Sequence, residues 1–388
     1  YLTANYPIGT TNITDGTYLI EIEYTVGIIF IFLLMQFVNK KTKVVGKFSM
    51  IGSKGFYYFF LVICLCLFIT YPSVRESISF LVIKTDASGR MDENIDSVAV
   101  LARTLIQFGL VILFLLSSYR FYRKYKIQPK LYYIIIPLIL GAVNISIIIG
   151  ERRSYQIYTL LSIIAIITLL FKRHSKVLNT ILIILGGTVF LGVTLYKELY
   201  IFNFSSYFQA FSSSNLKNIN LADKLQAYFY GPHNVGGFIE YTKMFGINIK
   251  DYTFDMLRST FGINIIIPDN YYMVSQNFNA LLYNNSQLTG HLISSSAYGF
   301  GVFGPFFPLV LIINISFIAM IEYLLNRTQS IEIYFVLFYV LMRMVFNIFS
   351  NTPQLINHAS MILIVYGIVI LISYLIKKIF KPYELKKF

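Results

Sequence analysis

Nine stretches of this chain are apolar and close to the length of a membrane-crossing helix, and nothing else in the sequence constrains the fold as strongly. They run roughly over 18–38, 55–71, 98–119, 131–150, 155–171, 177–196, 298–320, 333–350 and 356–376. About 20 mostly apolar residues of helix cross the ~30 Å hydrocarbon core of a bilayer. Composition agrees: 56% of residues are hydrophobic and 13% charged. A soluble domain carries about 25% charged residues. High hydrophobicity excludes a disordered chain, and the lack of strand-like alternation with regular turns disfavours a barrel. The expected fold is an all-α polytopic membrane protein with nine transmembrane helices.

The loops alternate in charge. Residues 39–54 carry Lys40, Lys41, Lys43, Lys47 and Lys54, and residues 120–130 carry Arg120, Arg123, Lys124, Lys126 and Lys130. Lys172, Arg173 and Lys176 follow, with Arg327 in a weaker loop and a basic tail over 377–388. The opposite side has only Arg75, Lys84, Arg90, Arg152 and Arg153 in its short loops. The positive-inside rule makes the basic set cytoplasmic. The net charge of +14 therefore reads as loop charge and not as a nucleic-acid surface. The N-terminus is expected outside and the C-terminus inside. Because Tyr1 is not Met, a further upstream helix, and so ten spans, is expected. The two cysteines, Cys64 and Cys66, lie in an apolar run, which offers no disulfide framework or metal site.

The spans divide the chain into six helices over 1–196, a long outer loop over 197–297, three helices over 298–376 and the tail. The loop has helix-like pieces, `NLADKLQAYFYG`, `VGGFIEYTKMFG` and `DYTFDMLRSTFG`, each ending at Gly, a common helix stop. `IPDNYY` and `LLYNNSQ` read as turns. Its aromatic content predicts a folded cap. No nucleotide loop, `HExxH` or paired-cysteine motif occurs, so neither ATP drive nor zinc chemistry is expected.

Arginine placement is the sharpest chemical signal. Arg103 and Arg343 lie several residues inside the third and eighth spans, counted from their outer ends, and Arg152 and Arg153 form the outer turn `GERRS`. An arginine within a membrane costs at least about 2.5–3.5 kcal/mol on insertion scales. Its guanidinium fork suits phosphate oxygens. The four together fit a cavity for a lipid-linked pyrophosphate. The structural alternative is that Arg103 and Arg343 snorkel to the interface and Arg152 pairs with Glu151. Arg258, in `DMLRST`, is either a fifth anion ligand or a helix residue paired with Asp255. His291, in `NNSQLTGHLISSSAYGFGVFGP`, stands at the loop exit, where a neutral imidazole can take a proton from a sugar hydroxyl. His233 is its rival. Glu240, Asp251, Asp255 and Asp269 are loop carboxylates suited to sugar hydroxyls or to base duty. Glu21 and Glu23, near the outer end of the first span, either neutralise arginines or precede the membrane. `YGFGVFGPFFP` opens the seventh span, with Pro305 and Pro308 bending it.

This layout resembles the bacterial oligosaccharide repeat-unit polymerases, the Wzy-type enzymes of O-antigen and capsule synthesis. The points of likeness are `GERRS` in a short outer turn, a large outer loop before the last three spans, and `HLISSSAYGFGVFGP` entering the next span. The likeness covers the whole chain in topology and is thin in residues. `SSSAYG` has no acid where the family often carries one, which leaves His291 as the nearby ionisable group. The resemblance implies a GT-C-like glycosyltransferase of the bacterial inner membrane, with a periplasmic loop and no metal or other cofactor. Donor and acceptor would be glycans on undecaprenyl pyrophosphate. Membrane lipid, a chain-length regulator and a flippase of the same pathway would be its partners, and nucleic acid would not. Arg103, Arg152, Arg153, Arg258 and Arg343 would hold the pyrophosphate, and His291 would act on the acceptor hydroxyl. An O-antigen ligase shares the layout. A flippase or other transporter, and a sugar O-acyltransferase working through `RFYRKYK`, are rivals of other classes.

Overall fold

The computed structural model describes residues 12–38, 48–76, 78–80, 97–149, 153–201, 231–268, 271–283 and 293–384. Among them the chain is helical apart from one antiparallel pair of three-residue strands. The order is α1 (Ile13–Val38), α2 (Lys54–Thr70), α3 (Pro72–Glu76), β1 (Ile78–Phe80), α4 (Ser97–Ile127), α5 (Tyr132–Ser146), β2 (Ile147–Ile149), α6 (Arg153–Leu170) and α7 (Ser175–Ile201). Then come α8 (Pro232–Phe245), α9 (Ile249–Ser259), α10 (Val274–Tyr283), α11 (Ser295–Phe303), α12 (Leu309–Arg327), α13 (Ile331–Phe346) and α14 (Thr352–Glu384). β1 pairs with β2 in the register Ile78 to Ile149 and Phe80 to Ile147.

Four of these helices are long and apolar enough to cross a membrane: Ile13–Gln36, Val98–Ile127, Leu309–Arg327 and Thr352–Phe380. The pair Gln156–Leu170 and Lys172–Thr188, bent by 114°, makes a fifth span if counted as one. Lys54–Thr70 and Tyr132–Ser146 are apolar but shorter. The chain is therefore an all-α membrane protein, with fewer clear spans than the nine expected. The seventh expected span is the plainest difference. Gly304 has φ +56, a left-handed value that breaks the helix. Pro305 and Pro308 follow, and α12 starts only at Leu309. The Gly-rich `YGFGVFG` thus forms the separate short helix α11. A Cβ on Gly299 would collide with the Phe307 carbonyl, so the chain folds back there because glycine leaves room. `LLYNNSQ` also differs, since its first residues complete α10.

The structure divides into two compact units. The first holds Tyr1–Lys43, Lys217–Asn326 and Arg343–Ile364; the second holds Val44–Leu216, Arg327–Met342 and Val365–Phe388. In the first unit α1 buries a single stripe, Gly16, Glu23 and Gly27. Their spacing of seven and four residues puts them on one helix face. A Cβ on Gly16 would lie 2.6 Å from the Pro232 carbonyl oxygen, and one on Gly27 would press on Leu311. These positions set how closely α1 meets α8 and α12. The rest of α1 carries exposed Tyr18, Ile28, Phe32 and Leu33, as a lipid-facing helix does. The core of this unit is Phe238, Tyr241, Phe278, Ile293 and Tyr298. In the second unit Phe108 stacks on Tyr366 at 4.0 Å between ring centroids, and Phe114 packs against Phe335.

Candidate functional site: an amide-lined cleft and two buried acids

Within the second unit α4, α5, α6 and α13, with Tyr366 of α14, enclose a cleft. Its polar lining is Gln107, Asn144, Gln156, Thr159, Tyr339 and Tyr366. No lining residue is charged. Its narrow interior measures about 30 Å³, and the empty space counted out to solvent is about 460 Å³. The interior takes one or two waters or a hydroxyl; a sugar ring would have to lie across the mouth. Gln156 is buried. Its Nε2 donates to the Ile147 carbonyl at 3.0 Å, while its Oε1 accepts nothing from the described residues. Asn144 Nδ2 donates to the carbonyls of Leu140, at 2.8 Å, and Leu110, at 3.2 Å. An amide oxygen buried beside a polar cleft has an unmet need for a donor, which a water or ligand hydroxyl satisfies.

Two of the sequence-nominated arginines share a helix with a residue of this cleft. Arg103 precedes Gln107 by four residues on α4, and Arg153 opens α6 three residues before Gln156. Along the backbone both therefore sit about one helical turn, about 5.4 Å, before a cleft-lining glutamine, Arg153 at the start of α6 and Arg103 about two turns into α4. The Arg103 side chain is half-buried. Arg152, His291 and Asp269 lie outside the described residues.

The other candidates fall in the first unit. Arg343 is half-buried in the last turn of α13, closer to the helix end than the expected span implied, where a cation also suits the helix dipole. The loop after it is fastened on both sides. Asn347 Nδ2 donates to the Arg343 carbonyl at 2.7 Å, and Asn314 Nδ2 donates to the carbonyls of Ile348 and Ser350 at 2.9 and 2.7 Å. The Ser295 amide donates to the Phe349 carbonyl at 2.8 Å. The Ser295 hydroxyl donates to the Glu23 carboxylate, which is 1% exposed. Glu21, two residues away, faces out. So Glu23 neither precedes the membrane nor sits in solvent, but is a buried acid inside α1.

Asp255 is the second buried acid. Its carboxylate accepts from the hydroxyls of Tyr298 at 2.6 Å and Tyr271 at 2.9 Å, and from the Val274 amide at 3.2 Å. Burial raises its pKa to about 6 from the ordinary 3.8; the tyrosine and amide donors oppose that shift. The same burial, with the carboxylate beside them, raises both tyrosines. With its oxygens occupied, Asp255 ties α9 to α11 and to the start of α10. Arg258 Nη1 donates to the carbonyls of Asn264 and Ile267 at 3.3 and 3.2 Å, closing the turn after α9. Asp251 completes a capping box with Asn248 at the start of α9. Glu240 accepts from Asn12 Nδ2 at 3.1 Å, and His233 is buried in the first turn of α8.

Sequence reasoning missed Gln156, Asn144 and Glu332. The wholly buried Glu332 accepts from the Ser330 hydroxyl at 2.8 Å, the Gly52 amide at 3.2 Å and the Tyr57 hydroxyl at 3.3 Å. Position gave a signal for Gln156 alone, since it follows `GERRS` by two residues at a helix start. These observations define a multi-helix membrane protein of two compact units, the second of which holds an amide-lined cleft. No protein-family model, curated protein or solved structure matches the chain.

Proposed function

We propose that this protein is a membrane glycosyltransferase that polymerises oligosaccharide units carried on undecaprenyl pyrophosphate. Its nine spans would lie in the bacterial inner membrane, with residues 197–308 on the periplasmic side and the C-terminus in the cytoplasm. The observation that carries the reading is the position of Arg103 and Arg153, one turn from the glutamines of an uncharged, hydroxyl-accepting cleft. An arginine one turn along the helix from each glutamine suits a ligand with a phosphate end and a hydroxyl-rich end. In this reading Arg103, Arg152 and Arg153 bind the pyrophosphate and stabilise the charge that builds on it as the sugar–phosphate bond breaks. An acceptor sugar hydroxyl attacks the released anomeric carbon, and its proton passes to His291. The loop acids are less suited to that proton, because Asp251 caps a helix, Glu240 holds Asn12 and Asp255 is enclosed.

The test is polymerisation in vitro. Purified protein with lipid-linked repeat units gives a ladder on a gel, and Arg103→Ala, Arg152→Ala and Arg153→Ala each remove it at unchanged protein yield. Normal ladders from all three variants end the reading.

A second reading, a glycan-lipid transporter, has one specific support. Glu23 is a buried carboxylate within a candidate span, the kind of group that proton-coupled transport uses. Flipping of a fluorescent polyprenyl-linked glycan in proteoliposomes, lost in Glu23→Gln, would favour it over polymerisation.

A further inference from the structure

The turn after α9 leaves large apolar side chains uncovered. Ile265 is 83% exposed, Ile266 77% and Ile263 41%. Residues 259–268, `STFGINIIIP`, carry no charge. Such a turn facing water loses the hydrophobic contribution of three isoleucines.

Two further features say what covers it. The first is its level along α14. The Phe261 amide donates to the Ser360 hydroxyl at 3.0 Å. The basic end of α14 begins at Lys377, and about 20 residues back from it, the ~30 Å of a hydrocarbon core, is Asn357. Ser360 lies about 4–5 Å further in. The turn is therefore pinned at the boundary between headgroups and acyl chains, beside a helix whose outward face carries exposed Ile364 and Ile368. The second is its backbone. The Gly262 amide donates to Asn264 Oδ1 at 3.0 Å. The amides of Ile263 and Asn264 donate to the Thr260 carbonyl, and that of Ile267 to the Asn264 carbonyl. Arg258 takes the carbonyls of Asn264 and Ile267. Non-helical backbone enters lipid only when its polar groups are satisfied within the protein.

We propose that the Thr260–Pro268 turn is a lipid anchor, with Ile265 and Ile266 inserted among the acyl chains next to α14. It holds the end of α9 at the membrane surface. The inference rests on α14 crossing the membrane and is independent of the polymerase reading.

The chain contains no Trp, so one introduced residue is a unique fluorophore. Full-length Ile265→Trp protein is reconstituted in phosphatidylethanolamine–phosphatidylglycerol vesicles, with lipids brominated at the shallow or the deep end of the acyl chain. Blue-shifted emission that is lost with shallow-brominated lipid supports the anchor, while Thr253→Trp, on the exposed face of α9, stays red-shifted and unquenched. Ile266→Trp repeats the measurement if the first variant is poorly made. Red-shifted, unquenched emission at both positions overturns the anchor. So does blue-shifted emission that no brominated lipid quenches, since another protein surface would then cover the turn.

Discussion

Asp255 shows how much one side chain can hold. Its carboxyl is driven toward the protonated form by burial, with a pKa near 6 against an ordinary 3.8. The unfolded chain ionises first as pH rises, so this group's contribution is greatest below about pH 4, falls between 4 and 6, and is level above. The fall is on the order of 3 kcal/mol. Asp255→Asn should flatten it, as read by the fraction staying monodisperse after heating across that pH range. Tyr298→Phe removes a donor from a buried carboxylate, at a cost of about 1–3 kcal/mol. It should lower the midpoint of heat-induced aggregation most at neutral pH, where the carboxylate is ionised. Of the nominated residues, the sequence showed which were charged and in which segment. It did not show that Arg258, Asp251 and Glu240 spend their polar atoms on nearby backbone, a helix cap and Asn12, because those partners are fixed only once the chain turns.

At the scale of elements, glycine decides where helices stop and where they touch. Gly304 needs its left-handed φ, and Gly299 needs the absence of a Cβ against the Phe307 carbonyl. Gly304→Ala should cost about 1–2 kcal/mol from the backbone conformation alone. Gly299→Leu, which forces α11 away from the following turn, should abolish a monodisperse peak in mild detergent. Gly16→Leu should act in the same way on the meeting of α1 and α8, whereas Gly187→Leu, where nothing lies within 4 Å, should be tolerated. Helix positions were legible: `VGGFIEYTKMFG` and `DYTFDMLRSTFG` became α8 and α9 within a few residues. The break before α12 was not, because hydropathy runs unbroken through `AYGFGVFGPFFPLVLII` while the backbone does not.

For the whole molecule, the cleft gives the most direct prediction. Gln156→Leu fills the amide site with a side chain that accepts no hydrogen bond. It should leave folding intact, as judged by monodispersity, and weaken glycan-lipid binding about 10-fold, the value of a hydrogen bond to a buried group. Unchanged binding in that variant would separate the cleft from the ligand. The long apolar runs of the sequence by themselves determined that this is a helical membrane protein, because transfer of such runs out of water depends on composition and length alone. Only the tertiary structure decided that Glu23 is buried, that Arg258 closes a turn, and that Gln107 and Gln156 face one cleft. Those facts depend on which helix faces meet, and residues far apart in the chain set them.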